Sequence, residues 1–319
     1  MYHSKFAADI ENMLVTLRNG GLRLMEMDYF LVDFDRFCTE KYPDVSTLTS
    51  EVAEKWIHNA TTDSKAHMSR RVNAMKHLGR YQLSLGKAAY IPAYTIRRAR
   101  AEEPRLFSDG QLSEFFERVD THITTTPTYP YNDVIYPVMF RLIYCCGLRS
   151  SEACNLRVED IDLAQGTLAI YRSKGFRDRL LHMSDDIWEL CLRFHEYYSK
   201  IIPARTYFFQ PSPVREHFVS YEVGKVFDSM LKKTTFSDAP GKKFTTHGLR
   251  HLFAVQNIKR CAELSEDFAN WIQYLCKYMG HKNSQNTMYY LHITSQLFPV
   301  YSEKLRLLEE GVGVMYAED

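Results

Sequence analysis

The chain has 319 residues, which allows two or three domains and a sizeable core. With 45% hydrophobic and 25% charged residues, and only 14 glycines and 11 prolines, it is neither fibrous nor disordered. Forty basic against 39 acidic residues give +1, divided as +4 over residues 1–100 (15 against 11) and −3 over the rest (25 against 28). A surface for nucleic acid must therefore be a local patch, not a global field. No apolar run approaches the roughly 18 residues of a membrane span. The start, MYHSKFAADIENML, has no apolar signal core. The seven cysteines are an odd number and form no CxxC pair, so they read as reduced thiols in a cytoplasmic protein.

In chain order, the first hundred residues read as helices. Phe6, Ile10, Met13, Leu14 and Leu17 recur at helical spacing until Gly20 and Gly21 stop them. A second helix carries Met27, Phe30, Leu31, Phe34 and Phe37, and Tyr42-Pro43 ends it. A third starts near Thr49 with Val52, Trp56 and Ile57 inward. A fourth covers about 63–85, with Met68, Val72, Met75, Leu78 and Leu83 on its apolar side and Gly86 as its stop. Lys65, Arg70, Arg71, Lys76 and Arg80 lie on that helix. They form either a solvated face or a set of phosphate contacts. The charged stretch 93–108 reads as a linker, which sets the domains at 1–100 and 109–319 with 101–108 between them.

In the second domain, 111–119 and 133–146 read as helices, the latter closed by Gly147. The alternating run 166–172 reads as a strand. It pairs with 177–183 as a hairpin with Lys174-Gly175 at its turn. From Ile187 the pattern is helical again. The fold class is mainly α with a small β sheet.

Four segments carry chemistry. CCGLRSSEACNLRVEDID sets Arg149 just past a helix break, where a guanidinium can meet an anion. YRSKGFRDRLLHM puts Lys174 at a hairpin tip. THGLRHLFAV gathers His247, Arg250 and His251. The two histidines are at i, i+4, but with no HExxH glutamate and no third ligand nearby they are not a metal site. YMGHKNSQNTMYYLHIT carries His281 and, nine residues on, Tyr290. Each segment alone has a plain structural explanation. Together, two arginines, a lysine, two histidines and a tyrosine are the parts for phosphodiester chemistry without a metal. Arginines neutralise the non-bridging oxygens, tyrosine attacks, and lysine or histidine gives the leaving oxygen its proton.

These motifs, in this order and spacing, resemble the tyrosine recombinase (phage integrase) family over nearly the whole chain. The resemblance implies a helical core-binding (SAM-like) domain at 1–100 and an α+β catalytic domain at 109–319. It also implies Arg149, Lys174, His247, Arg250, His281 and Tyr290 as the catalytic set, with Glu152 supporting Arg149. Tyr290, nine residues after His281, matches the nucleophile position and Tyr289 does not, and the following Leu291-His292 fits the family's Tyr-x-His ending. The implied reaction forms a 3′-phosphotyrosyl bond and a free 5′-hydroxyl. It needs no cofactor and no metal, since the covalent link conserves the bond energy. The implied partners are double-stranded DNA recombination sites and a homo-tetramer on two such sites, passing through a Holliday junction. An accessory DNA-bending protein or a second recombinase is a further partner, and no membrane is involved. Leu297, Phe298, Tyr301, Leu305 and Leu308 form a tail that packs on its own domain or docks on a neighbouring protomer. The long stretch between His251 and Gly280, and the lack of room for an arm-binding domain, favour a mobile-element integrase over a chromosome-dimer (Xer-like) resolvase. A type IB topoisomerase-like enzyme and a silent DNA-binding regulator are the other readings.

Overall fold

The computed structural model describes residues 2–20, 25–59, 64–96, 104–122, 130–171, 178–237, 243–264, 268–280 and 290. The chain divides into two compact units, Met1–Glu102 and Glu103–Asp319.

The first unit holds α1 (Ala7–Asn19), α2 (Met25–Lys41), α3 (Ser50–Ile57) and α4 (Lys65–Ser84). Their apolar stripes meet around Phe34, whose ring lies edge-on to Phe6 at 5.3 Å and to Trp56 at 5.2 Å. Thr49 and Ser64 cap α3 and α4 by accepting from the amides of Val52 and His67. Two expectations for α4 need correction. Leu83 is 46% exposed, and its neighbour Gln82 is fully buried instead. The Gln82 amide accepts from Leu48 N and donates to Asp9 and Ser46 O, so each of these buried polar groups is paired. Arg71 is not on the solvated face. It lies at i−4, i−7 and i−11 from Met75, Leu78 and Gln82, so it shares their buried side. Its guanidinium stacks on the Trp56 ring at 5.1 Å, donates to Trp56 O and pairs with Asp33. Lys65 and Arg80 are exposed, and Arg70 and Lys76 are half-buried.

The linker is also shorter than 93–108. Tyr90 and Ile96 pack on the first unit's core, and the Tyr90 and Tyr94 hydroxyls both donate to Glu54. Phe107 is buried in the second core, and Arg105 covers the Phe244 ring at 4.3 Å. Ser108 caps the next helix in a reciprocal box with Gln111.

The second unit contains α5 (Asp109–Asp120), α6 (Asn132–Cys145) and the short α7 (Ser150–Cys154). A three-stranded antiparallel sheet follows, in the order β1 (Ile161–Asp162), β2 (Thr167–Ile170), β3 (Arg179–His182). The β2–β3 hairpin was expected, and Ile170 stands opposite Arg179 in it. The two-residue β1 is too short to leave an alternation. The turn that carries Lys174 lies outside the described residues. The helices α8 (Asp185–Ile201), α9 (Ser220–Leu231), α10 (Thr246–Leu264) and α11 (Phe268–Met279) complete the unit. The core is aromatic, with Phe115, Phe140 and Phe227 in mutual contact. The Tyr144 hydroxyl on α6 donates to Gln256 on α10 at 2.6 Å and so fixes the two helices that carry the site. No helix among the described residues is long and apolar enough to cross a membrane.

The two basic residues of α4 should separate in a stability assay. Arg71→Ala should cost about 2 kcal/mol in urea unfolding, through its lost charged hydrogen bonds and its ring contact. Arg80→Ala should stay within about 0.5 kcal/mol. Equal effects would contradict the placement of Arg71.

Candidate active site

The site is built where two helices end. Gly147 closes α6 with φ +59°, and Gly280 closes α11 with φ +62°. Both adopt the left-handed conformation that ends helices and favours glycine. At Gly147 space forbids a side chain as well: a Cβ would lie 2.6 Å from the Phe253 ring. The carbonyls at these ends have no intrahelical partner and carry the negative end of the helix dipole. Arginines take them up. Arg250, on α10, donates to Gly147 O and to Met279 O. Arg149, at the start of α7, donates to Gly280 O at 3.2 Å.

Glu152 ties the cluster together from the first turn of α7. Its carboxylate accepts from the Arg149 amide (2.8 Å), Arg149 Nη1 (2.6 Å), and Arg179 Nη1 and Nη2 (3.1 and 2.7 Å). Four donors use the carboxylate's four lone-pair sites. Arg250 Nη1 stands 3.7 Å away, close enough for charge attraction without a hydrogen bond. Burial alone would raise the Glu152 carboxyl. The hydrogen bonds and charge of Arg179, followed by the amide and charge of Arg149, outweigh it and hold the group at about 2. Arg250 is 1% exposed. Burial, then the Arg149 charge, lowers it to about 10 against the pull of Glu152 and Tyr290, so it stays charged at neutral pH.

Tyr290 is 3% exposed and packs with Ala254, Val255, Ile258 and Ile272 on α10 and α11. Its hydroxyl lies 3.0 Å from His251 Nδ1. The exposed His247 meets His251 edge-on, with ring centroids 4.5 Å apart. The structure therefore brings Arg149, Arg250 and Tyr290 into one cluster with Glu152, and His247 adjoins it through His251. Lys174, His281 and the tail residues Leu297, Phe298, Tyr301, Leu305 and Leu308 lie outside the described residues.

Sequence reasoning missed Arg179 as a member of the site. Its signal was the strand alternation: Arg179 shares a face with the buried Leu181, and a charge on a buried strand face needs a carboxylate partner. His251 was noticed only for its i, i+4 spacing from His247.

Over residues 117–296, more than half of its length, the chain matches the family model described as the phage integrase family. The chain belongs to the phage integrase family. It is a tyrosine recombinase, a site-specific recombinase that breaks and rejoins DNA strands. It is similar end to end to the Sinorhizobium fredii protein named integrase/recombinase y4rB, at 23% identity over 96% of this chain and 98% of that one. It is also similar to tyrosine recombinase XerD of Lacticaseibacillus casei, at 27% identity over 76% and 78%. Among solved structures, a lambda integrase dimer bound to a COC′ core site shares the fold at TM-score 0.60 and 16% identity, over 89% of this chain and 76% of that one. The Tn1549 transposon integrase in complex with transposon right end DNA does so at 0.58 and 15%, over 88% and 94%.

The depressed Glu152 carboxyl fixes the sign of a pH effect. Its stabilisation is fully present above the ordinary value of 4.5 and is lost as pH falls towards about 2. Glu152→Gln should therefore cost about 3 kcal/mol in urea unfolding at pH 7. The gap to wild type should narrow steadily from pH 4.5 downwards. A gap that is constant across that range would contradict the assignment.

Proposed function

We propose that Tyr290 is the nucleophile with which this recombinase opens duplex DNA, and that Arg149 and Arg250 receive the scissile phosphate. The charge balance beside the Tyr290 hydroxyl carries this reading. Three guanidiniums (Arg149, Arg179, Arg250) face one carboxylate, Glu152, which sums to +2. A buried excess of that size calls for an anion. A phosphodiester brings −1 and its pentacoordinate transition state about −2, so the fit improves as the reaction proceeds.

In this reading Tyr290 Oη attacks phosphorus and the 5′-oxygen leaves. Lys174, His281 or His247 supplies the proton that oxygen takes. The product is a 3′-phosphotyrosyl link, which a 5′-hydroxyl from the partner strand reopens without ATP. Lys65, Lys76 and Arg80, on the outer side of α4 with Arg70 beside them, contact the DNA backbone. Four protomers on two sites exchange strands through a Holliday junction. A lambda integrase tetramer bound to such a junction, similar in fold at TM-score 0.59, supports this part of the reading. The role we propose is integrating or excising a mobile element; the end-to-end likeness to y4rB, named an integrase/recombinase, supports the integrase part of it.

Labelled DNA from the flanks of the protein's own gene tests the chemistry. Wild type should yield an SDS-stable, protease-sensitive complex without added metal. Tyr290→Phe should bind the DNA and yield none, and Arg149→Ala should form it about 10²–10³-fold more slowly. An adduct with Tyr290→Phe would overturn the assignment and make Tyr289 the next candidate. Reversing charge at Lys76 and Arg80 should weaken binding and flatten its salt dependence by up to about two contacts. An unchanged slope would return that face to plain solvation.

A further inference from the structure

One titratable ring at the site has no part in the chemistry above. His251 follows Arg250 on α10, and its Nδ1 lies 3.0 Å from the Tyr290 hydroxyl, with the rings 5.3 Å apart. We propose that His251 is the general base that takes the Tyr290 proton. This inference rests on Tyr290 being the nucleophile.

Chemistry and access both point to this ring. A phenol that ionises near 10 is a weak nucleophile at neutral pH, whereas an imidazole near 6.5 is largely neutral there and able to accept. The 3.0 Å separation is within the reach of direct proton transfer. Arg149 and Arg250 are donors only and cannot serve as base. Tyr290 is 3% exposed and packed against aliphatic side chains of α10 and α11, so bulk water has little access to its hydroxyl. The role requires the tautomer with the ring proton on Nε2, which leaves the Nδ1 lone pair facing the phenol. The helix also orders the tasks. Arg250 points to the helix ends that frame the anion, while the next residue, His251, points to the attacking oxygen.

The step balances. The Oη–H bond breaks and its proton moves to Nδ1, giving an imidazolium. The Oη lone pair forms the bond to phosphorus. The bond from phosphorus to the 5′-oxygen breaks, and that oxygen is protonated by a different group. On rejoining, the 5′-hydroxyl attacks phosphorus, and the departing Oη recovers its proton from the His251 imidazolium.

The test uses full-length protein and a gene-flank duplex that wild type converts to adduct. His251→Ala should bind that duplex as wild type does and form adduct about 10²-fold more slowly or worse. His251→Asn sets an amide oxygen near the place of Nδ1. It can hold the phenol by a hydrogen bond but cannot take its proton, so it should remain slow. Replacing Tyr290 with 3,5-difluorotyrosine, whose fluorines make the phenol more acidic, should shrink the His251→Ala deficit to less than about tenfold, because a phenol that ionises unaided needs a base less. Full activity in either variant overturns the proposal, and so does a deficit that the fluorinated tyrosine leaves unchanged, since a packing role would not respond to phenol acidity. If wild type itself forms no adduct on any flank, the reading of Tyr290 fails first and this inference goes with it.

Discussion

Everything at the site depends on one buried carboxylate. Glu152 lies in the first turn of a five-residue helix and spends all of its hydrogen-bonding capacity on Arg149 and Arg179. Isolated guanidiniums could not be buried so close together, because like charges a few ångströms apart in a low dielectric repel strongly. The carboxylate makes the group tolerable but does not neutralise it. Arg250 stays beyond hydrogen-bonding distance of it and is held by backbone carbonyls instead. Glu152 thus fixes the geometry of the arginines while leaving a net positive charge at the cluster.

The fold prepares this arrangement through its helix ends. α6 and α11 each stop at a left-handed glycine, and their last carbonyls converge on the arginines. The arginine side chains are therefore held to the scaffold by backbone carbonyls. Preorganised donors of this kind need little rearrangement when charge develops, which is where electrostatic catalysis gains most. α10 contributes Arg250 to this cluster and His251 to Tyr290 from adjacent residues, and the Tyr144–Gln256 hydrogen bond locks it against α6.

Much of this was legible in the sequence. The helical periodicities of the first hundred residues, the Gly147 break, the β2–β3 hairpin and the position of Arg149 just past a helix end all follow from local rules. The failures have physical causes. Arg71 was grouped with basic neighbours because composition counts charges but does not project them. Its spacing to Met75 and Leu78 would have put it on the buried side, against Trp56. Leu83 and Gln82 exchanged places because a satisfied amide can replace an apolar side chain in a core, and only the partners Leu48, Ser46 and Asp9 show that it is satisfied. Arg105 and Phe107 hid inside a stretch too charged and too short to show a period. Arg179 and His251 escaped because their partners, Glu152 and Tyr290, lie 27 and 39 residues away. The alternation of β3 marks Arg179 as needing a partner without naming it, and nothing local marks the contact between His251 and Tyr290.

The most direct measurement is to find which atom of the protein holds the DNA. The SDS-stable complex can be digested with nuclease and protease, and the residual peptide sequenced by tandem mass spectrometry. A nucleotide remnant is expected on the side chain of Tyr290, the tyrosine that hydrogen-bonds His251 beside the arginine cluster. A remnant on Tyr289, or on any residue remote from Arg149 and Arg250, would contradict that assignment.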